Sequence, residues 1–221
     1  MIHYKGVIFD FNGTLFFDND KHVLAWNEVS RLLRGCDITE KELHEKFNGT
    51  PNEQIIKYMT DGKASAEEIE TYSSKKEEFY REFCKKDKEN FHLVKGVETY
   101  FQYLKDKKIP YTIASASIRA NMDFFRESFH LDDFIDPELL VYDDGTYENK
   151  IQMFLDAANK IGVDMGDILI IEDSNSGIKN AYKAGCEKIL VVCEKEKEEE
   201  YAKFPGVIGT MQDFEHICEM I

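Results

Sequence analysis

The stretch Gly6-Val7-Ile8-Phe9-Asp10-Phe11-Asn12-Gly13-Thr14-Leu15 constrains this chain most. It opens as a short apolar run, the pattern of a strand buried on both faces. The Asn12-Gly13 pair then turns the backbone. Asp10 is thereby put at the carboxyl end of a buried strand, on the lip of a loop. In open α/β sheets, ligands bind at that edge.

From about residue 18 to about residue 90 the chain reads as helix throughout. Val23, Leu24, Trp26, Val29, Leu32 and Leu33 recur at near-helical spacing. A second helix is expected over 39–47. Thr50-Pro51-Asn52-Glu53 and Ser65-Ala66-Glu67-Glu68 read as capping boxes, the first with proline at the first helical position. They open helices to about Met59 and Lys88. From Gly96 the texture changes. Helices over 97–107, 119–129, 150–161 and 177–184 alternate with short strands over 111–114, 139–141, 168–171 and 188–192. Ser117 is expected to cap the helix beginning at Arg119.

Such alternation predicts right-handed crossovers and a parallel sheet covered on both faces, a Rossmann-like doubly wound α/β core. The core is expected over residues 1–16 and 93–221. An all-helical cap, residues 17–92, is inserted directly after the first strand and is expected over the strand ends. The hinges fall near Phe16-Phe17 and Phe91-His92-Leu93.

A chain of 221 residues has room for one sizeable core and a smaller accessory domain. Its net charge of −15 argues against nucleic acid and anionic membrane as partners, since both need a positive footprint. No apolar run nears the ~20 residues that span a bilayer, and no basic-then-apolar leader opens the sequence. The five cysteines are scattered and form no CxxC pair, so reduced thiols in a cytoplasmic protein are expected. Nothing in the sequence requires more than a monomer.

Three expected strand ends carry polar residues: Asp10, Ser115, and the pair Glu172-Asp173. Carboxylates brought together repel unless a cation sits among them. Oxygen-only donors suit Mg²⁺, which shares its coordination with a substrate phosphate.

This arrangement resembles the haloacid dehalogenase-like (HAD) superfamily, whose first motif is aspartate, any residue, aspartate, then Gly-Thr-Leu. Glu172-Asp173-Ser174-Asn175-Ser176-Gly177-Ile178 resembles the fourth motif of that family. The resemblance implies that Asp10 is a nucleophile forming an aspartyl-phosphate. It also implies that Mg²⁺ is held by Asp10, the backbone carbonyl of Asn12, Glu172 and Asp173. Ser115 and the Ala116 backbone match the second motif, which holds the transferring phosphate. The third motif supplies a lysine. Lys150 is favoured for it, without the family's prolines; the alternative is an ordinary surface lysine at a helix start.

The cap carries a resemblance of its own. His22-Val23-Leu24-Ala25-Trp26 is similar to the first cap helix of β-phosphoglucomutases, which implies a substrate-binding role for His22 against a structural or solvated one. Asn48-Gly49-Thr50-Pro51-Asn52 resembles the mutase cap loop. Relatives that bind bisphosphorylated sugars have arginine where Asn52 stands, and asparagine cannot fork onto a phosphate as arginine does. Lys76 could reach into the cleft instead, but a lysine on so charged a helix is expected in solvent.

One departure decides what to expect of the chemistry. The family's second aspartate gives a proton to the leaving oxygen and then activates water; here the position is Asn12. An amide has no transferable proton. A general acid/base is worth ~10²–10⁴ in rate, or roughly 3–5 kcal/mol of barrier. The expected protein is a slow Mg²⁺-dependent phosphatase of small phosphorylated metabolites, best with good leaving groups. The alternatives are a non-catalytic phosphate-ligand binder of the same fold and a β-phosphoglucomutase-like phosphosugar mutase. His22 is the residue nearest in prospect as a substitute proton donor.

Overall fold

In the computed structural model of the chain, residues 3–47 and 49–220 are described. The chain divides into two compact units, Met1–Phe17 with His92–Ile221, and Asp18–Phe91. Strand β1 (Gly6–Phe9) precedes helices α1 (Asn19–Arg34), α2 (Glu40–Glu42), α3 (Asn52–Met59) and α4 (Ala66–Lys86). Then follow α5 (Val97–Lys107), β2 (Tyr111–Ile118), α6 (Arg119–Phe129), β3 (Val141–Asp143) and α7 (Lys150–Ile161). The chain continues through β4 (Ile168–Glu172), α8 (Asn175–Lys183), β5 (Ile189–Val192), α9 (Glu198–Tyr201), β6 (Val207–Met211) and α10 (Ile217–Met220). Among the described residues, no helix is long and apolar enough to cross a membrane.

The first unit is built on a six-stranded sheet in the order β3-β2-β1-β4-β5-β6, parallel at every pairing. Side chains alternate across it with the period of a strand. Ile8, Ile168, Ile170, Ile189 and Val191 pack with Met153, Phe154 and Ala157 of α7 and Ile178 and Ala181 of α8. Phe9 points the other way, into an edge-on cluster with Tyr100 and Phe101 of α5, at centroid distances of 5.9 and 5.2 Å. Helices thus cover both faces, and the sheet is doubly wound.

In this unit the strand boundaries differ from expectation. Strand β2 runs on to Ile118, so Ser117 lies in the strand rather than capping α6, whose N-cap Ile118 makes no side-chain cap bond. The strand expected over 139–141 begins only at Val141, because Pro137–Leu139 forms a 3-10 turn that Asp136 caps through Glu138 N–H. Strand β6 was not expected at all. It is half-exposed and contains Gly209, so it lacks both an apolar run and a clean alternation. The acidic run from Glu194 folds as a mostly exposed short turn and α9.

The second unit packs Trp26 and Val29 of α1 with Phe47 and with Ile55, Ile56 and Met59 of α3. Ser65 forms the expected capping box: its Oγ accepts from Glu68 N–H at 3.2 Å, while Glu68 Oε2 accepts from Ser65 N–H at 2.8 Å. Thr50 does not. Pro51 takes the N-cap position in an extended conformation, α3 begins at Asn52, and Thr50 N–H bonds Phe47 O instead. The helix expected over 39–47 is one α-turn, boxed by Thr39 and Glu42, that widens into a π-turn over Leu43–Phe47. Asn48, the first residue of the mutase-like cap loop, lies outside the described residues.

Candidate active site

The site forms where three parallel strands end. Asp10 N–H continues the ladder to Ile171 O at 2.9 Å, which brings the ends of β1 and β4 side by side. Two glycines allow the acids to crowd there. Gly13 has φ +78°, and a Cβ on it would run into the Asp173 carboxylate. Gly177, in the first turn of α8, faces Glu172 so closely that any side chain would overlap that carboxylate. As a result Asp10, Glu172 and Asp173 each offer an oxygen within 4.8 Å of the others. Thr14 Oγ1 lies 3.5 Å from both Asp10 Oδ2 and Asp173 Oδ1.

Lys150 is the first residue of α7, behind an N-cap in which the Asn149 side chain accepts from Ile151 and Gln152 N–H. Its Nζ donates to Asp10 Oδ1 at 2.6 Å and also to Glu172 Oε1. Its side chain is only 13% exposed, so this is an interior cation, not a surface lysine. Burial works against that charge, but Asp10 and Glu172 outweigh it and hold the Lys150 pKa above its ordinary value.

The two carboxylates sharing Lys150 diverge. Burial pushes Asp10 up to about 7, despite Lys150. Burial opposes Glu172 as well, yet its pKa is lowered by Lys150 and by backbone N–H donors. Glu172 Oε2 accepts from Asp173 N–H at 2.8 Å, Ser174 N–H at 2.9 Å and Ser174 Oγ at 3.1 Å. Ser174 Oγ in turn caps α8 by accepting from Gly177 N–H at 3.0 Å. Glu172 is therefore the better-held anion of the pair.

At the end of β2, Ser115 Oγ donates to Asn12 Oδ1 at 3.4 Å, and Ser117 Oγ donates to the same oxygen at 2.5 Å. Ala116 lies between these serines in the strand. Asp10, Asn12, Ser115, Ala116, Lys150, Glu172 and Asp173 thus all fall at the carboxyl edge of the sheet in the first unit. Ser117 and Thr14 belong with them and escaped the sequence reading. Thr14 lies inside the first motif; Ser117, ahead of a helical pattern, reads as a cap.

His22 lies within the helical unit, at the half-buried edge of a polar network there. Lys76 Nζ donates to His22 Nδ1 at 2.9 Å, which puts the ring proton on Nε2, 3.2 Å from Asp18 Oδ2. The ring stacks on Tyr80 at 4.3 Å, and Tyr80 OH donates to Asp18. Lys76, expected in solvent, is 4% exposed. Glu77 accepts from it at 2.9 Å, and the Trp26 and Tyr80 rings face its ammonium at 5.7 and 5.3 Å. Asn52 Nδ2 donates to the same Glu77 oxygen at 2.9 Å.

A parallel sheet with a nucleophile-like aspartate after its first strand and an acid pair after its fourth defines a class of phosphoryl-transfer enzymes. The model of the haloacid dehalogenase-like hydrolases matches residues 7–191. The chain belongs to that family, in its β-phosphoglucomutase-like group of phosphatases and phosphomutases, and its class is phosphoric monoester hydrolase. A HAD hydrolase of family IA, variant 3, from Entamoeba histolytica superimposes with a TM-score of 0.89 at 31% identity, covering 98% of this chain and 97% of that one. A phosphorylated carbohydrates phosphatase of Thermotoga maritima is 25% identical over 191 residues, 85% of each chain. A β-phosphoglucomutase of Bacillus subtilis is 28% identical over 191 residues, 82% of this chain and 80% of that one. Enzymes of this family generally use Mg²⁺.

Proposed function

We propose that the protein hydrolyses phosphoric monoesters of small metabolites through Asp10, with Mg²⁺, and slowly because Asn12 carries no proton to transfer. The observation that carries this reading is the three-acid cluster built around one ammonium. Three carboxylates meet within 4.8 Å, and Lys150 bonds two of them. The donors are all oxygen, and one lysine leaves the cluster net negative, which fits a hard divalent cation. Asp10, the Asn12 carbonyl, Glu172 and Asp173 would hold it. Bound there, Mg²⁺ would neutralise charge on the phosphoryl oxygens.

The chain's own groups do the rest. Lys150 holds Asp10 as the nucleophile, and Ser115 with the Ala116 backbone is placed to receive the phosphoryl oxygens. An Asp10 oxygen bonds phosphorus as the ester P–O bond breaks, and the leaving oxygen takes its proton from solvent. Water then attacks phosphorus and gives a proton to solvent as the Asp10–phosphorus bond breaks, and inorganic phosphate leaves. Without a general acid, esters of acidic alcohols or phenols are the favoured substrates.

A mutase reading has less support. The Asn52 side chain, where bisphosphate-binding relatives have arginine, is engaged with Glu77. A non-catalytic binder keeps the same ligands and differs only in turnover. The test is hydrolysis of an aryl phosphate with Mg²⁺ by the protein and by Asp10→Asn. The variant is expected to lose all turnover; residual activity would overturn the covalent route, and binding of Mg²⁺ and phosphate without turnover by the unaltered protein would favour the binder.

A further inference from the structure

Between Asp10 and Phe16 the chain makes a small closed loop. Phe11 O accepts from Leu15 N–H at 2.8 Å, Phe16 N–H at 3.1 Å and Thr14 N–H at 3.3 Å, and Gly13 N–H donates to Phe16 O at 2.7 Å. The turn inside those bonds meets the acids, through Thr14 Oγ1 at 3.5 Å from Asp10 and Asp173 and through Gly13 against the Asp173 carboxylate. These bonds fix the shape of the loop, not its distance from β2. The ladder between β1 and β2 ends with Phe9 opposite Ile113. Beyond it, the serine bonds to the Asn12 side chain and a cluster of rings join the loop to β2 and α6.

One helix takes hold of both ends of the loop. Phe125 of α6 stacks on Phe11, with ring centroids 4.4 Å apart and planes 23° from parallel, and meets Phe16 edge-on at 6.0 Å. Phe129, one turn on, lies 5.3 Å from Phe16 and 6.2 Å from Phe11. At that helical spacing Phe125 and Phe129 share a face of α6. Phe11, Phe16 and Phe125 are wholly buried. Helix α6 directly follows β2, whose end carries Ser115 and Ala116. Its N-terminus has no side-chain cap, so packing of this aromatic face seats it.

We propose that Phe125 is a positioning residue: stacked on Phe11, it sets how far the Asp10 loop stands from the β2 edge where the phosphoryl oxygens would be received. This rests on the phosphatase reading above. Displacement needs the attacking oxygen and phosphorus ~3–3.5 Å apart and aligned, and a misplacement of about 1 Å can cost ~10²-fold in rate. Close packing of the four rings leaves the loop no room for such a shift. Leucine at position 125 would remove the stack and open space into which Phe11 can move, carrying the backbone between Asp10 and Asn12 with it.

Hydrogen exchange and kinetics test this together. In Phe125→Leu, the Gly13, Leu15 and Phe16 amides should exchange about tenfold faster than in the parent, while Val191 in β5 keeps its rate. With Mg²⁺ and 4-nitrophenyl phosphate, kcat per folded molecule should fall about tenfold, and KM should stay within about twofold. Phe11→Leu opens the same stack from the loop side. It should give a like loss, and adding Phe125→Leu to it should cost little more. Phe101→Leu, an equal change at a fully buried ring in the α5 cluster, should leave the loop amides and kcat near the parent's. Should Phe125→Leu fail to fold, Phe125→Met, which fills more of the space, reads the same exchange. Unmoved loop amides, or exchange rising equally in β5, would overturn the proposal. So would an unchanged kcat, or additive losses in the double variant. No turnover by the unaltered protein would sink the phosphatase reading and the proposal with it. Loop amides that still respond to Phe125→Leu would tell that failure apart from a failure of the packing.

Discussion

Lys150 bonds two carboxylates, and what else each of them accepts decides how they differ. Glu172 has two backbone N–H groups and a serine hydroxyl on its far oxygen. Asp10 is buried with less support, and its pKa rises to about 7. Removing the shared ammonium leaves both acids facing each other in the interior. Deleting one partner of a buried ion pair typically costs about 3–5 kcal/mol. Lys150→Met in chelator is therefore expected to lower the unfolding free energy measured in urea by that order, with part of the loss recovered on adding Mg²⁺. A variant as stable as the parent without Mg²⁺ would mean that the acids do not repel. At this scale the sequence was legible where residue type and strand-end position agreed, as for Asp10, Glu172 and Asp173. Lys150 was legible through its place before a helix. Ser117 was not, because serine ahead of a helical pattern reads as a cap and nothing local says that β2 continues. Gly13 and Gly177 were visible, but their purpose, room for a carboxylate, depends on Asp173, far along the chain, for Gly13 and on a helix packed over a strand end for Gly177.

Helices α1 and α4 show how a charged element can be an interior one. On α4, Lys76, Tyr80 and Cys84 recur at helical spacing with Glu77 beside them, and all are buried. Asp18, His22 and Trp26 make the matching stripe entering and along α1, and Asp18 and Trp26 are also buried. The spacing was present in the sequence. What was not legible is that the charges cancel across the two helices, so Lys76 needs no water. Lys21 adds a second tie, donating to Asp87 at 2.5 Å beyond the end of α4. Short α2 relies on Glu42, which accepts from Arg34 at 2.5 and 3.1 Å and from Thr39 N–H at 2.8 Å. The Arg34 bonds, then Thr39, pull the Glu42 pKa down to about 2. Because the folded value lies below the ordinary 4.5, the stabilisation is complete above about pH 4.5 and fades as pH falls toward 2. Glu42→Gln should therefore lower the melting temperature at pH 7 and converge on the parent only as pH falls to about 2. A deficit that stays constant between those pH values would contradict the assignment.

Across the whole chain, the break in texture between residues 18–90 and the remainder was enough to read a helical insertion in a parallel α/β core. The sixth strand escaped, because an edge strand with one wet side and a glycine offers no periodic signal. A molecule of net charge −15 can handle a phosphate only if cations reverse the sign locally. The strand ends provide Lys150 and a nest of oxygens suited to Mg²⁺ for that purpose. On the reading proposed above, Asn12 is one exchanged atom in a phosphoryl-transfer site, its side-chain oxygen bonded by two serine hydroxyls that would serve a carboxylate oxygen equally well. The most direct measurement is hydrolysis of an aryl phosphate with saturating Mg²⁺ by this protein and its Asn12→Asp variant, side by side. A site lacking only its proton carrier should gain about 10²-fold or more in kcat. Equal rates in the two proteins would show that another group already carries the proton, and would contradict the role given to Asn12.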